Sequence, residues 1–205
     1  IAAWLPTQPA PIGAPVSDRA AWTALAARLP VATLLSEADK IVNTTTPDLP
    51  DDLYLNYSRT GNRTTYEGPY NTRRDRLSHF AWAEALDHRG RYLAALQREI
   101  DAALAEKTWV LPAHDATLVN FRGTAVEVDL GASARGWSLA LVAAWFGSEL
   151  GPDRLTRIQS EVRRRIVDPY ANAVRRGPTG GFWWIHTTNN WNAVCHAGVA
   201  GVALA

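Results

Sequence analysis

Few residues in this chain have the type and spacing to do chemistry, and most stand near the ends of irregular stretches. Asn189 and Asn190, in Thr188-Asn189-Asn190-Trp191, sit where a loop gives way to an apolar helical pattern. Amides at such a junction lie beside unpaired backbone N–H groups and the positive end of the helix dipole. They read as donors to an anion or as plain caps. His196 follows about a turn and a half into the same helix, facing a cleft or a satisfied core. His114, in Pro112-Ala113-His114-Asp115, and His186, just after Trp183-Trp184, are imidazoles that touch a ligand or bond locally. Trp109, Trp183, Trp184 and Trp191 lie close to loops, where an indole can stack on a sugar ring, although core burial is the commoner use. Asp115, Glu127 and Asp129 are the loop acids open to a hydrolase, which needs two cleft carboxylates at a definite separation. Arg73 and Arg74 can pair with carboxylates but read first as a solvated helix start, and Arg163 to Arg165 as an exposed outer face. No His, Cys, Asp or Glu spacing makes a metal site, no Gly-rich loop cradles phosphate, and no cofactor is expected.

The elements that must position these groups are helices. Ser17 is placed to cap a helix carrying Trp22, Leu25 and Leu29 on one face; Pro30 ends it before a second through Leu34, Leu35 and Ile41. From Asn43 to Tyr70 the periodicity disappears among Thr, Asn, Asp, Pro and Gly, which predicts a long loop. A helix over Thr72 to Asp87 and a partner marked by Leu93, Leu96, Ile100 and Leu104 follow, with Gly90 between them. Trp109 to Leu130 reads as loop, although Ala125 to Leu130 alternates enough for a short strand. Trp137 to Phe146 is apolar nearly all round, as in an enclosed helix, while Leu155, Ile158, Val162 and Ile166 mark a one-sided helix. After a Gly/Pro loop at Gly177 to Gly181, a last helix starts at Asn189 or Asn190. With no repeat, low-complexity tract or linker, residues 1–205 form one domain.

Composition narrows the partners. A 47% hydrophobic, 20% charged chain is that of an ordinary folded protein. Its 21 basic and 20 acidic residues nearly cancel, so no overall field draws it to nucleic acid or an anionic membrane. An acidic ligand must be held by a local cluster. Cys195 alone forms no internal disulfide, and no apolar run reaches the length of a membrane span. Nine tryptophans without a methionine point to buried or ligand-stacking indoles. No signal peptide is visible from Ile1 to Pro15, and the apolar pattern through Val199, Val202 and Leu204 stops without a cap, so further sequence is expected beyond Ala205.

Three strings are more specific than the helix pattern: TWVLPAHD at 108–115, VDLGASARGWSLALV at 128–142 and TNNWNAVCHAG at 188–198. Over roughly residues 70 to 205 the chain resembles the N-terminal toroid of the heparinase II/III-like polysaccharide lyases. The resemblance implies an incomplete all-α (α/α) toroid of antiparallel helix pairs, followed past Ala205 by a C-terminal β-sandwich region. It implies β-elimination on a uronic-acid polysaccharide or oligosaccharide, in the periplasm or outside the cell. The chemistry removes the C5 proton of a uronate and places further negative charge beside its carboxylate, where donors must stabilise it. The resemblance implies Tyr and His as base and acid, and Asn or Arg as carboxylate neutraliser. Asn190 best matches that Asn, with Asn189 second and His196 as the nearest later histidine. The sequence departs from several relatives in carrying Trp191 where they have His directly after the Asn. The family's catalytic Tyr lies downstream. A glycoside hydrolase on a similar toroid, and a carbohydrate-binding protein that kept the toroid without the chemistry, are the alternatives.

Overall fold

Asp18, not Ser17, caps the first helix: its carboxylate accepts from the Ala21 backbone N–H at 3.1 Å. The computed structural model describes residues 12–177 and 181–205, and every regular element among them is helical. The order is α1 (Arg19–Ala26), α2 (Val31–Ile41), α3 (Asp51–Thr60), α4 (Thr64–Asp87), α5 (Leu93–Ala105), α6 (Leu130–Phe146), α7 (Pro152–Val162), α8 (Asp168–Arg176) and α9 (Asn190–Leu204). Ala125 to Leu130 forms no strand before α6, and the stretch from Trp109 is irregular apart from a 3₁₀ turn at Pro112–His114.

The expected loop from Asn43 to Tyr70 is in large part helix. Pro50, with Asp51 and Asp52 in the first turn, starts α3, and Gly61 at φ +72° ends it in the left-handed region that an L side chain rarely adopts. Helix α4 begins at Thr64, eight residues before the expected Thr72, and runs through Pro69. Its early turns are polar except for Tyr66 and Tyr70, which pack with Tyr54 of α3 in a small aromatic cluster of their own. Helix α4 packs on α1, α2, α5 and α6, α6 on α7 and most extensively on α9, and α5 on α7. Trp22, Trp82 and Trp145 meet edge-on at centroid distances of 5.1–6.0 Å where α1, α4 and α6 converge.

Helix α6 is buried along most of its length, as all-round apolar patterning predicts, and α7 only on one side. The exception is Trp137, which is 36% exposed and lies against Gly201 of α9. Gly198 meets Ser133 of α6 so closely that a Cβ would lie 2.8–2.9 Å from Ser133 Cβ, C and O. The arginines read as solvated divide. Arg73 sits inside α4 and donates to Glu106 at 3.2 Å. Arg165 lies in a π-turn, Arg163–Val167, that joins α7 to α8; it is buried, donating to Glu161 Oε2 at 2.6 Å and to the Glu106 carbonyl at 2.8 Å. The extra residue of the turn swings one arginine inward, where its head covers the Trp109 ring at 4.8 Å. Arg163 and Arg164 stay exposed.

Candidate functional site

A cleft of about 530 Å³ opens between the 113–117 loop, the 127–129 segment that leads into α6, and the 181–191 segment that leads into α9. It gathers His114, Trp183, Trp184 and Trp191, four of the side chains singled out in the sequence, together with the acids Asp115, Glu127 and Asp129.

The segment into α9 is shaped by two of its three asparagines. Asn189 is the cap, its side-chain oxygen accepting from the Asn192 backbone N–H at 3.3 Å. Asn192 donates to the Trp184 and Ile185 carbonyls at 3.1 and 2.8 Å, clamping the 3₁₀ turn Trp183–His186 against the first turn of α9. Asn190, the first residue of α9, is exposed and takes no part in the cap. The clamp sets Trp183 and Trp191 side by side, ring centroids 5.0 Å apart, with Trp183 58% exposed. Trp184 is buried, stacked between Phe182 and Tyr170, its Nε1 donating to the Val128 carbonyl at 2.8 Å. His186 is exposed on the same turn but does not line the cleft.

His114 is held directly against this indole pair. Its Nδ1 lies 2.6 Å from Asp129 Oδ2, and its ring stands edge-on to Trp191 at 4.4 Å. A carboxylate accepts only from a ring N–H, so this contact puts a proton on Nδ1, and Nε2, which faces a guanidinium that has only donors, is the accepting nitrogen. Asp129 is immobilised in turn: Oδ2 also accepts from Leu111 N–H at 3.0 Å, and Oδ1 caps α6 through Ala132 N–H at 2.7 Å. The arrangement is an imidazole oriented by a carboxylate beside a pair of indoles. Arg63 Nη2 lies 3.4 Å from His114 Nε2, on an exposed arm whose Nε donates to Glu67 at 2.9 Å.

The other nominated groups lie elsewhere. Trp109 is 2% exposed and donates to the Ala103 carbonyl, so it offers no face to a sugar. His196 lies behind Trp184, 5.2 Å between ring centroids, with its Nδ1 2.9 Å from the Tyr170 hydroxyl. Cys195 is buried and its thiol is pushed up to about 12 by that burial, which leaves it unreactive. Asp115 accepts from Asn120 N–H, the Asn120 amide, Phe121 N–H and the Tyr54 hydroxyl, at 2.9–3.2 Å. Burial first, then the charge of Asp115, pushes the Tyr54 phenol upward, so it stays a donor. Of the three loop acids, Asp115 and Asp129 are thus bound up in local structure, and Glu127 is exposed and hydrogen-bonded by Asn120.

The orientation of His114 by Asp129, the Asn192 clamp and the Arg63 contact escaped the sequence reading. Asp129 alone left a signal, an acid directly before an apolar helix pattern. Among the described residues no group of three or more His, Cys, Asp or Glu side chains can hold a metal, and no helix is long and apolar enough to cross a membrane. The sequence matches no known family model and no curated protein sequence.

Proposed function

We propose that the cleft binds an acidic glycan and that the protein is a polysaccharide lyase of the heparinase II/III-like kind, acting by β-elimination. The observation that carries the reading is the grouping, in the lining of one cleft, of the adjacent indoles Trp183 and Trp191 with the carboxylate-oriented imidazole of His114, which stands against Trp191. Indole faces suit the apolar faces of sugar rings, and an oriented imidazole suits proton transfer. Asn190, which does not line the cleft but is exposed next to Trp191 at the positive end of α9, is the donor for the uronate carboxylate in this proposal. The toroid belongs to the same proposal. Helix α6 contacts both α4 and α9 while α5 contacts α7, as inner and outer rings of an (α/α) array would. An apolar groove of about 690 Å³ runs between α6, α7 and the end of α9, lined by Ala140, Ala143, Leu155, Ile158 and Val202, a surface that a neighbouring helix of such an array would cover.

A hydrolase fits less well, because it needs two carboxylates free to act, and Asp115 and Asp129 already accept the hydrogen bonds of their own loops. Incubation of the full protein with polyuronates tests the proposal. A lyase releases unsaturated sugar absorbing in the ultraviolet, and Asn190→Ala lowers kcat on the order of a hundredfold. Saturated products show a hydrolase, and binding without turnover a carbohydrate-binding protein.

A further inference from the structure

The contact between Arg63 and His114 carries a consequence for how the cleft chooses its ligand. The imidazole is fixed on three sides: Asp129 holds Nδ1 at 2.6 Å, Trp191 stands against the ring at 4.4 Å, and Arg63 Nη2 faces Nε2 at 3.4 Å. The first two groups are anchored, Asp129 by backbone N–H groups of two segments and Trp191 by its place in α9. The third is not. The Arg63 side chain is 51% exposed, and its one carboxylate partner is Glu67 on the same helix face. A guanidinium N–H directed at the only free lone pair of the ring blocks it as a proton acceptor, by occupying it and by adding positive charge beside the nitrogen that would become positive. A guanidinium also prefers a carboxylate to an imidazole, because the planar fork matches two oxygens at once.

We propose that Arg63, which lies outside the cleft lining and reaches it through His114, is its specificity-determining group: in the free protein it covers His114 Nε2, and the carboxylate of an acidic sugar draws it away and uncovers that nitrogen. A neutral sugar has nothing to pull the guanidinium with and leaves the imidazole covered. Recognition of charge and readiness of the base are then one event. The inference rests on reading the cleft as a site for an acidic glycan, but the covering contact itself is a property of the free protein.

Two measurements separate the parts. Carbethoxylation of histidines by diethyl pyrocarbonate, followed by peptide mass mapping, reads access to Nε2, with exposed His186 as the internal reference. Arg63→Ala is expected to speed labelling of His114 several-fold relative to His186. Calorimetric titration with an oligouronate and with a neutral gluco-oligosaccharide of equal length reads the carboxylate. Arg63→Ala is expected to weaken the oligouronate by about tenfold or more, the scale of a lost charge-assisted hydrogen bond, and to leave the neutral sugar unchanged. Arg63→Lys, which keeps the charge without the fork, should recover only part of the affinity. Unchanged labelling together with unchanged oligouronate affinity overturns this inference and leaves the glycan reading standing. No oligouronate binding by the unaltered protein overturns the glycan reading and the carboxylate role, while faster labelling in Arg63→Ala would still support the cover.

Discussion

The α4–α5 hairpin and the α6–α9 pair solve the same packing problem by opposite means. Between α4 and α5 the contact is locked by buried charge. Arg76 donates to Glu99 at 2.7 Å with both side chains at most 4% exposed, and Glu84, also buried, accepts the Gly90 and Tyr92 N–H groups at 2.7 and 2.8 Å to shape the turn. Between α6 and α9 closeness replaces charge: Gly198 lies on Ser133 and Gly201 on Trp137, with no ion pair between the two helices. An ionic lock fixes register through partners that must all be present, whereas a glycine contact fixes distance and fails when volume is added. The first interface is sensitive to removal of atoms and the second to addition.

The largest effect should come from breaking the lock. Arg76→Ala leaves the Glu99 carboxylate buried without its cation and should cost about 3–5 kcal/mol in chemical denaturation. Replacing Arg76 and Glu99 together by leucines should cost less than the single change, and a double variant as unstable as Arg76→Ala would mean that the pair is not what the hairpin depends on. On the other interface Gly198→Ala should cost about 1–3 kcal/mol, because the atoms it meets include Ser133 backbone, which cannot turn aside. Gly136→Ala meets only side-chain atoms of Ile166 and Val202 and should cost less; the reverse order would show that backbone is not the limiting contact.

The hairpin also carries one of the alkali-sensitive phenols, the cluster of Tyr54, Tyr66 and Tyr70 being another. Burial, then the hydrogen bond to Asp39, raises the Tyr92 phenol from its usual 10 to about 12. A group raised on folding stabilises fully below its unfolded value, so this contribution is intact up to about pH 10 and lost as pH rises through 12. Tyr92→Phe should make the alkaline limb of a stability curve shallower by its own share, the other raised phenols remaining, while lowering the neutral plateau by about 1 kcal/mol through the lost hydrogen bond. The smallest expected change tests the entrance to α9. Asn189→Ala should cost about 1 kcal/mol as a lost cap, and Asn190→Ala less than about 0.5 kcal/mol. Equal costs at both positions would show that Asn190 shares the capping.

The helices also differ in how far they could be read from sequence. Helices α5 and α7 announce themselves because their buried residues are aliphatic and fall at helical spacing. Helix α3 and the first turns of α4 do not, because their buried face is Tyr54, Tyr66 and Tyr70 among charged and polar neighbours, with Pro69 inside the helix. Arg73 and Arg165 read as surface because their partner Glu106 is remote in sequence. At the cleft, Trp183, Trp191 and His114 stand out by type and by nearness to loops. Asp129 as the orienting group and Arg63 as the cover do not, since each is joined to His114 only by the folded chain. Asn189 and Asn190 are visible as a pair, but which of them caps is decided by one step of backbone geometry.

The π-turn at Arg163–Val167 makes the chain's length there matter more than its letters. Each helical residue advances the direction of side chains by about 100°, so loss of a single codon within the turn would rotate all of α8 against what precedes it. Tyr170 would swing off His196, and its ring would leave the stack on Trp184 that underlies the cleft. A missense change at Arg163 or Arg164 removes an exposed side chain and its surface ion pair, to Asp168 or Glu161, and leaves the direction of α8 as it is. The reading frame of side-chain directions, rather than any one arginine, is what this turn transmits to the floor of the cleft.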